Sequence, residues 1–127
     1  MKLTINSREE RGVVILGLSG RLVMGEEVKL LREQIRSLLA EHKTMILLNM
    51  TDVAYVDSSG IGTLVEGVVL TTTESGRLKL ANLQRMVYSA LALHKLLPAF
   101  QVFNSEEEAL ASFETAGQTS GPGTEQG

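Results

Sequence analysis

Both aspartates of the chain fall in one stretch, Asp52-Val53-Ala54-Tyr55-Val56-Asp57-Ser58-Ser59-Gly60-Ile61-Gly62. Asp57 and Ser58 stand where a loop is expected to enter a helix. Unpaired backbone N–H groups and the helix dipole favour an anion at such a point. A phosphate on the Ser58 hydroxyl would therefore be tolerated locally. Gly60 and Gly62 read as leaving room for another chain to approach, at some cost to the first helical turn. On spacing alone, ordinary capping by Asp or Ser and the frequency of glycine in loops account for the same residues.

Other chemistries fit less well. A serine hydrolase needs a G-x-S-x-G elbow, and Val56-Asp57-Ser58-Ser59-Gly60 lacks the first glycine. A phosphoaspartate receiver would use Asp57 as acceptor, but it needs further carboxylates to hold Mg²⁺, and nothing acidic follows the first strand. Cysteine is absent, which removes thiolate metal sites and thiol nucleophiles. The two histidines, His42 and His94, are too far apart in sequence to suggest zinc. His42 reads as solvated, whereas His94 falls on a mostly apolar helix face and reads as packed. Met24, Met45, Met50 and Met86 read as core or interface filler. The faces around Ile61, Val65 and Met86 are candidate partner contacts, although amphipathic packing also explains them. No catalysis and no bound cofactor are expected.

A chain of 127 residues with 43% hydrophobic and 21% charged side chains suits one soluble domain. Twelve basic residues against 15 acidic ones gather no basic face, so nucleic acid is a poor partner. No apolar run has the length of a membrane span, and the first residues lack a signal peptide's apolar stretch. A cytoplasmic protein is expected.

Residues 3–7 and 13–19 read as an antiparallel hairpin across the charged turn Arg8-Glu9-Glu10-Arg11-Gly12. Val28, Leu31, Ile35, Leu38 and Leu39 mark an amphipathic helix. The apolar run 45–50 suits a strand covered on both faces, followed by a loop over 51–59. Ile61, Leu64, Val65, Val68 and Val69 restore the helical period, and Gly76 ends it. Residues 77–81 alternate as a strand, 84–96 look helical before Pro98, and 101–103 form a short strand. Ser105 with Glu106, Glu107 and Glu108 makes a capping box for a last helix that buries Ala109, Leu110 and Phe113. Residues 117–127 have no large apolar side chain and are expected to be disordered, leaving 1–116 as the domain. This order predicts an α/β fold: a mixed sheet of about five strands, with an N-terminal antiparallel hairpin followed by βα units, and about four helices.

In this order of elements, Asp57-Ser58-Ser59-Gly60 with Ile61-Gly62 resembles the phosphorylation motif of the anti-sigma factor antagonists, which are STAS domains (sulfate transporter and anti-sigma antagonist). Leu18-Ser19-Gly20-Arg21-Leu22 and Gly76-Arg77-Leu78-Lys79-Leu80 extend the likeness, which runs to about Phe113. The resemblance implies phosphorylation of Ser58 by an anti-sigma factor that is also a serine kinase of the histidine-kinase-like ATPase type. ATP belongs to that partner. The unphosphorylated antagonist would bind the anti-sigma factor and free a sigma factor, and a metal-dependent serine phosphatase would restore it. The implied partner surface comprises Asp57, Ser59, Gly60, Ile61 and Gly62, with Val23 and Met24 from the loop after the second strand. Many family members carry aspartate at the position of Val23. The alternative is a non-phosphorylated STAS scaffold or a small subunit of a lipid-transport ATPase, in which Ser58 would cap the helix.

Overall fold

Arg11 and Gly12 take positive φ angles of 56° and 79° and make a two-residue turn of the kind that suits twisted antiparallel strands. On either side of it run β1 (Thr4–Glu10) and β2 (Val13–Leu22), paired from Thr4 opposite Ser19 to Glu10 opposite Val13. The computed structural model describes residues 2–118. The chain continues through α1 (Glu26–Ala40), β3 (Met45–Val56), α2 (Ser58–Thr73), β4 (Arg77–Ala81) and α3 (Arg85–Leu93). A 3-10 turn (Leu97–Ala99), β5 (Val102–Phe103) and α4 (Glu106–Gln118) follow. The five strands lie in sequence order, and every pairing after the opening hairpin is parallel.

Alternation along the strands divides the core into two layers. Leu16, Leu18, Ile46, Leu48, Met50 and Leu80 pack with α1, α2 and α3, whose buried positions include Leu31, Ile35, Leu64, Val87 and Leu91. Val13, Ile15, Leu47 and Ala81 pack on the other face against Ala109, Leu110 and Phe113 of α4. Strand β3 is thus covered on both faces, as its apolar run predicts. Arg32 and Arg36 of α1 both bond the Glu66 carboxylate of α2, at 2.8 Å and 3.1 Å, and tie the two helices on their outer side.

Some expectations are corrected. The segment 51–56 is not a loop: it continues β3, with Asp52 opposite Ser19 and Val56 opposite Leu22. Register shifts between Gly17 and Ser19 and between Gly20 and Arg21 break the period of two, so the buried residues there are Val53 and Val56, three apart. Helix α3 stops at Leu93 rather than 96, because Lys95 takes a positive φ of 60° and turns the chain. His94 is consequently an exposed C-cap, not a packed core residue. Met24 and Met86 are surface residues, 72% and 64% exposed, whereas Met50 is buried.

The Ser105 hydroxyl accepts the Glu108 N–H at 3.1 Å and starts α4. Arg8 pairs with Glu106 and Arg11 with Glu107, so the charged hairpin turn clasps that helix start. Of the tail 117–127 expected to be disordered, Gly117 and Gln118 are instead the last residues of α4, and 119–127 lie outside the described residues. No helix among the described residues is long and apolar enough to cross a membrane.

Beneath α4, Lys79 is 3% exposed. Its Nζ donates to Ser112 Oγ at 2.9 Å and lies 4.5 Å and 5.7 Å from the centroids of the Phe113 and Phe103 rings. Burial, with the Arg77 charge adding to it, pushes the ammonium down to about 8 from 10.5. In that window the unfolded chain holds more protons than the folded one, so stability rises as pH goes from about 8 to 10.5. Lys79→Met is expected to remove this rise and to stabilise the protein at neutral pH by about 1–3 kcal/mol. Urea unfolding of both proteins across that pH range checks it, and parallel pH profiles would refute it.

Candidate functional site

Between the last residue of β3 and the first of α2 stands a single residue, Asp57. It keeps an extended backbone (φ −100°, ψ −174°) while its carbonyl accepts the Ile61 N–H at 2.9 Å, the first helical bond. This is the geometry of an N-cap. Its Oδ1 accepts the N–H of Gly60 at 2.8 Å, and its Oδ2 accepts the N–H of Met24 at 3.0 Å. The Asp57 N–H donates to the Leu22 carbonyl at 3.2 Å. One residue therefore fastens the start of α2 to the loop between β2 and α1.

Burial pushes the Asp57 carboxyl up, but backbone N–H groups of Met24, Gly60, Ser59 and Asp57 itself outweigh it. The net result is a carboxyl held below its ordinary value of 3.8. Asp57 is ionised at neutral pH, with both oxygens engaged.

Gly60 serves the same joint. A Cβ built there would lie 2.1 Å from the Leu22 carbonyl oxygen, so α2 can approach β2 this closely only without a side chain. This corrects its expected role: the space beside Gly60 is filled by the chain's own β2, not by a partner. Gly62 differs, being exposed with nothing within 4 Å of where its Cβ would stand.

Ser58 occupies the first helical position. Its side chain is exposed and, among the described residues, makes no hydrogen bond. Ser59 is half-buried, and its carbonyl accepts the Thr63 hydroxyl at 3.0 Å. Val23 is half-buried, and its carbonyl accepts the Val28 N–H at 3.3 Å. Met24 projects outward beside the Asp57 joint.

Ser58, Ile61, Gly62, Val65, His94 and Leu96 line an open, mainly apolar groove of about 460 Å³ between α2 and the end of α3. Ile61 is buried at its floor and Ser58 exposed at its rim. Of the sequence-predicted residues, Ser58, Ile61 and Gly62 meet in this groove, while Asp57 and Gly60 stand behind it as scaffold. Val23 and Met24 join through the Met24 N–H bond to Asp57. Sequence reasoning missed His94 and the Leu22 carbonyl. No local signal marks the second, which meets Gly60 only through the tertiary fold, whereas the three-residue spacing from Asp57 to Gly60 matches the N-cap bond itself. Among the described residues no group of three or more His, Cys, Asp or Glu could hold a metal ion.

The sequence model of the STAS domain matches residues 4–109. An anti-sigma F factor antagonist of Paenibacillus polymyxa is 27% identical over 117 residues, covering 90% of this chain and 97% of that protein. The crystal structure of a candidate anti-sigma factor antagonist from Thermotoga maritima superposes with a TM-score of 0.81 at 22% identity, covering 87% of this chain and 94% of the other. The Bacillus cell-fate determinant SpoIIAA in its phosphorylated form superposes with a TM-score of 0.67 at 23% identity, covering 86% and 98%.

Three expectations follow for the joint and the serine beside it. Asp57→Ala is expected to lose about 0.5–2 kcal/mol of stability at neutral pH, and Gly60→Ala about 1–3 kcal/mol through the clash with Leu22. The Asp57 contribution is present above 3.8 and is lost as pH falls through the depressed folded value, so wild type and Asp57→Ala should converge in acid. Ser58→Ala should stay within about 0.5 kcal/mol of wild type. Urea unfolding at neutral and acid pH checks all three.

Proposed function

The chain belongs to the STAS domain family, and from that premise we propose that it is an anti-sigma factor antagonist that works by partner switching. In this reading the unphosphorylated protein binds an anti-sigma factor through the groove and its surroundings, and a sigma factor is released. That partner is a serine kinase of the histidine-kinase-like ATPase type, which transfers phosphate from its own ATP to Ser58. A serine phosphatase reverses the modification. The protein is a substrate and ligand, not an enzyme.

The observation that carries the reading is an exposed hydroxyl, unbonded among the described residues, on the rim of an apolar groove at a helix start. Support also comes from the relatives, one of which is recorded in a phosphorylated form. A phosphoserine brings about −1.5 to −2 charges. Within a partner interface, leaving such a charge unpaired costs about 2–5 kcal/mol. At about 1.4 kcal/mol per decade, binding would weaken roughly 30-fold to several thousand-fold. The scaffold and transporter-subunit alternative gave Ser58 the role of cap, but Asp57 fills that role.

The test is incubation of the purified protein with ATP and native-source lysate, followed by phosphosite mapping. Phosphate is expected on Ser58 and should vanish in Ser58→Ala. Ser58→Ala should bind the captured partner constitutively and Ser58→Glu weakly. Equal binding by both variants, or no phosphate on Ser58 from a demonstrably active lysate, would overturn the switch.

A further inference from the structure

We propose that His94 is the counter-ion of the phosphate on Ser58, a role that rests on the proposed modification of that residue. The groove that opens beside Ser58 is walled by Ile61, Gly62, Val65 and Leu96, and among the described residues His94 is the titratable side chain that lines it, with no arginine, lysine, aspartate or glutamate beside it. A dianion at the rim of so apolar a groove finds few polar partners on the groove side, and a cation there would stabilise it. His94 is exposed, ends α3, and faces the same space as Ser58.

Neighbouring charges leave this pairing open. Asp57 has both carboxylate oxygens bonded to backbone N–H groups and is turned toward Gly60 and Met24. Glu66, further along α2, is held by Arg32 and Arg36 of α1. Lys95 follows His94 in sequence but does not line the groove. Among the described residues the His94 side chain makes no hydrogen bond or ion pair, so pairing with the phosphate would break none. An imidazole changes charge close to the pH at which a phosphate monoester completes its ionisation.

Phosphoserine inserted at position 58 during synthesis makes the test independent of any kinase. The titration of its phosphorus NMR signal is then followed in wild type, His94→Gln and His94→Arg. The phosphate's second ionisation is expected about half a unit lower in wild type than in His94→Gln at low salt. His94→Arg should restore the shift, and about 1 M salt should shrink it. Coincident curves for wild type and His94→Gln at low salt would overturn the pairing while leaving the proposed switch standing. A failure of Ser58 to be phosphorylated in lysate would overturn the switch and leave this measurement unaffected.

Discussion

The arrangement around Ser58 depends on one carboxylate that satisfies two backbone donors from separate parts of the chain. Asp57 holds Gly60 at the start of α2 and Met24 in the loop after β2. Neither donor has a helical or ladder partner of its own: the first N–H groups of a helix never do, and a loop N–H rarely does. Supplying both from one side chain forces β2, its loop and α2 into a fixed relation. Gly60 is the steric half of the same constraint, since any side chain there would meet the Leu22 carbonyl. The Leu22 carbonyl in turn accepts the Asp57 N–H, so the joint closes on itself.

This rigidity is delivered by the layer of α1, α2 and α3, and the opposite layer is built differently. There, α4 rests on Val13, Ile15, Leu47 and Ala81 and is clasped by Arg8 and Arg11 of the hairpin turn. Those ion pairs are largely exposed and contribute little each. The buried ammonium of Lys79 reduces what the layer contributes at neutral pH, because its one hydrogen bond is to a neutral hydroxyl. Among the described residues the groove at Ser58 is lined by α2 and the segment that ends α3, so the α4 layer does not touch it.

Local signals in the sequence reached most of the fold. The order of strands and helices followed from changes of hydrophobic period, and the Asp57-Ser58 helix start from its residue types. What escaped was set by tertiary geometry. The end of β3 lost its period of two because β2 shifts register against it, and no local pattern records a partner strand's bulge. His94 kept step with Val87 and Leu91, yet the helix ends before it because Lys95 turns the chain. Gly60 was legible as a glycine that mattered, but whether its missing side chain admits a partner or the chain's own β2 depends on where Leu22 comes to lie. The choice between core and interface, left open for Met24 and Met86, is settled as surface by the fold, since side-chain chemistry alone does not separate the two.

The division of labour between Asp57 and Ser58 bears on how a switch at this site can work. Had Ser58 been the cap, modifying its hydroxyl would have changed the group that starts α2, and the state of the switch would have been coupled to the stability of the fold. With Asp57 as the cap, the Ser58 hydroxyl has no bond within the described structure to lose. A phosphate there meets the positive end of a helix dipole, which favours it by roughly 0.3–1 kcal/mol at an exposed position. The cost falls on whatever apolar surface the groove would otherwise receive. A charge can then change affinity by orders of magnitude while the chain that carries it keeps its conformation. Such a switch needs a rigid frame behind the modified residue, and the Asp57–Gly60–Leu22 joint supplies one.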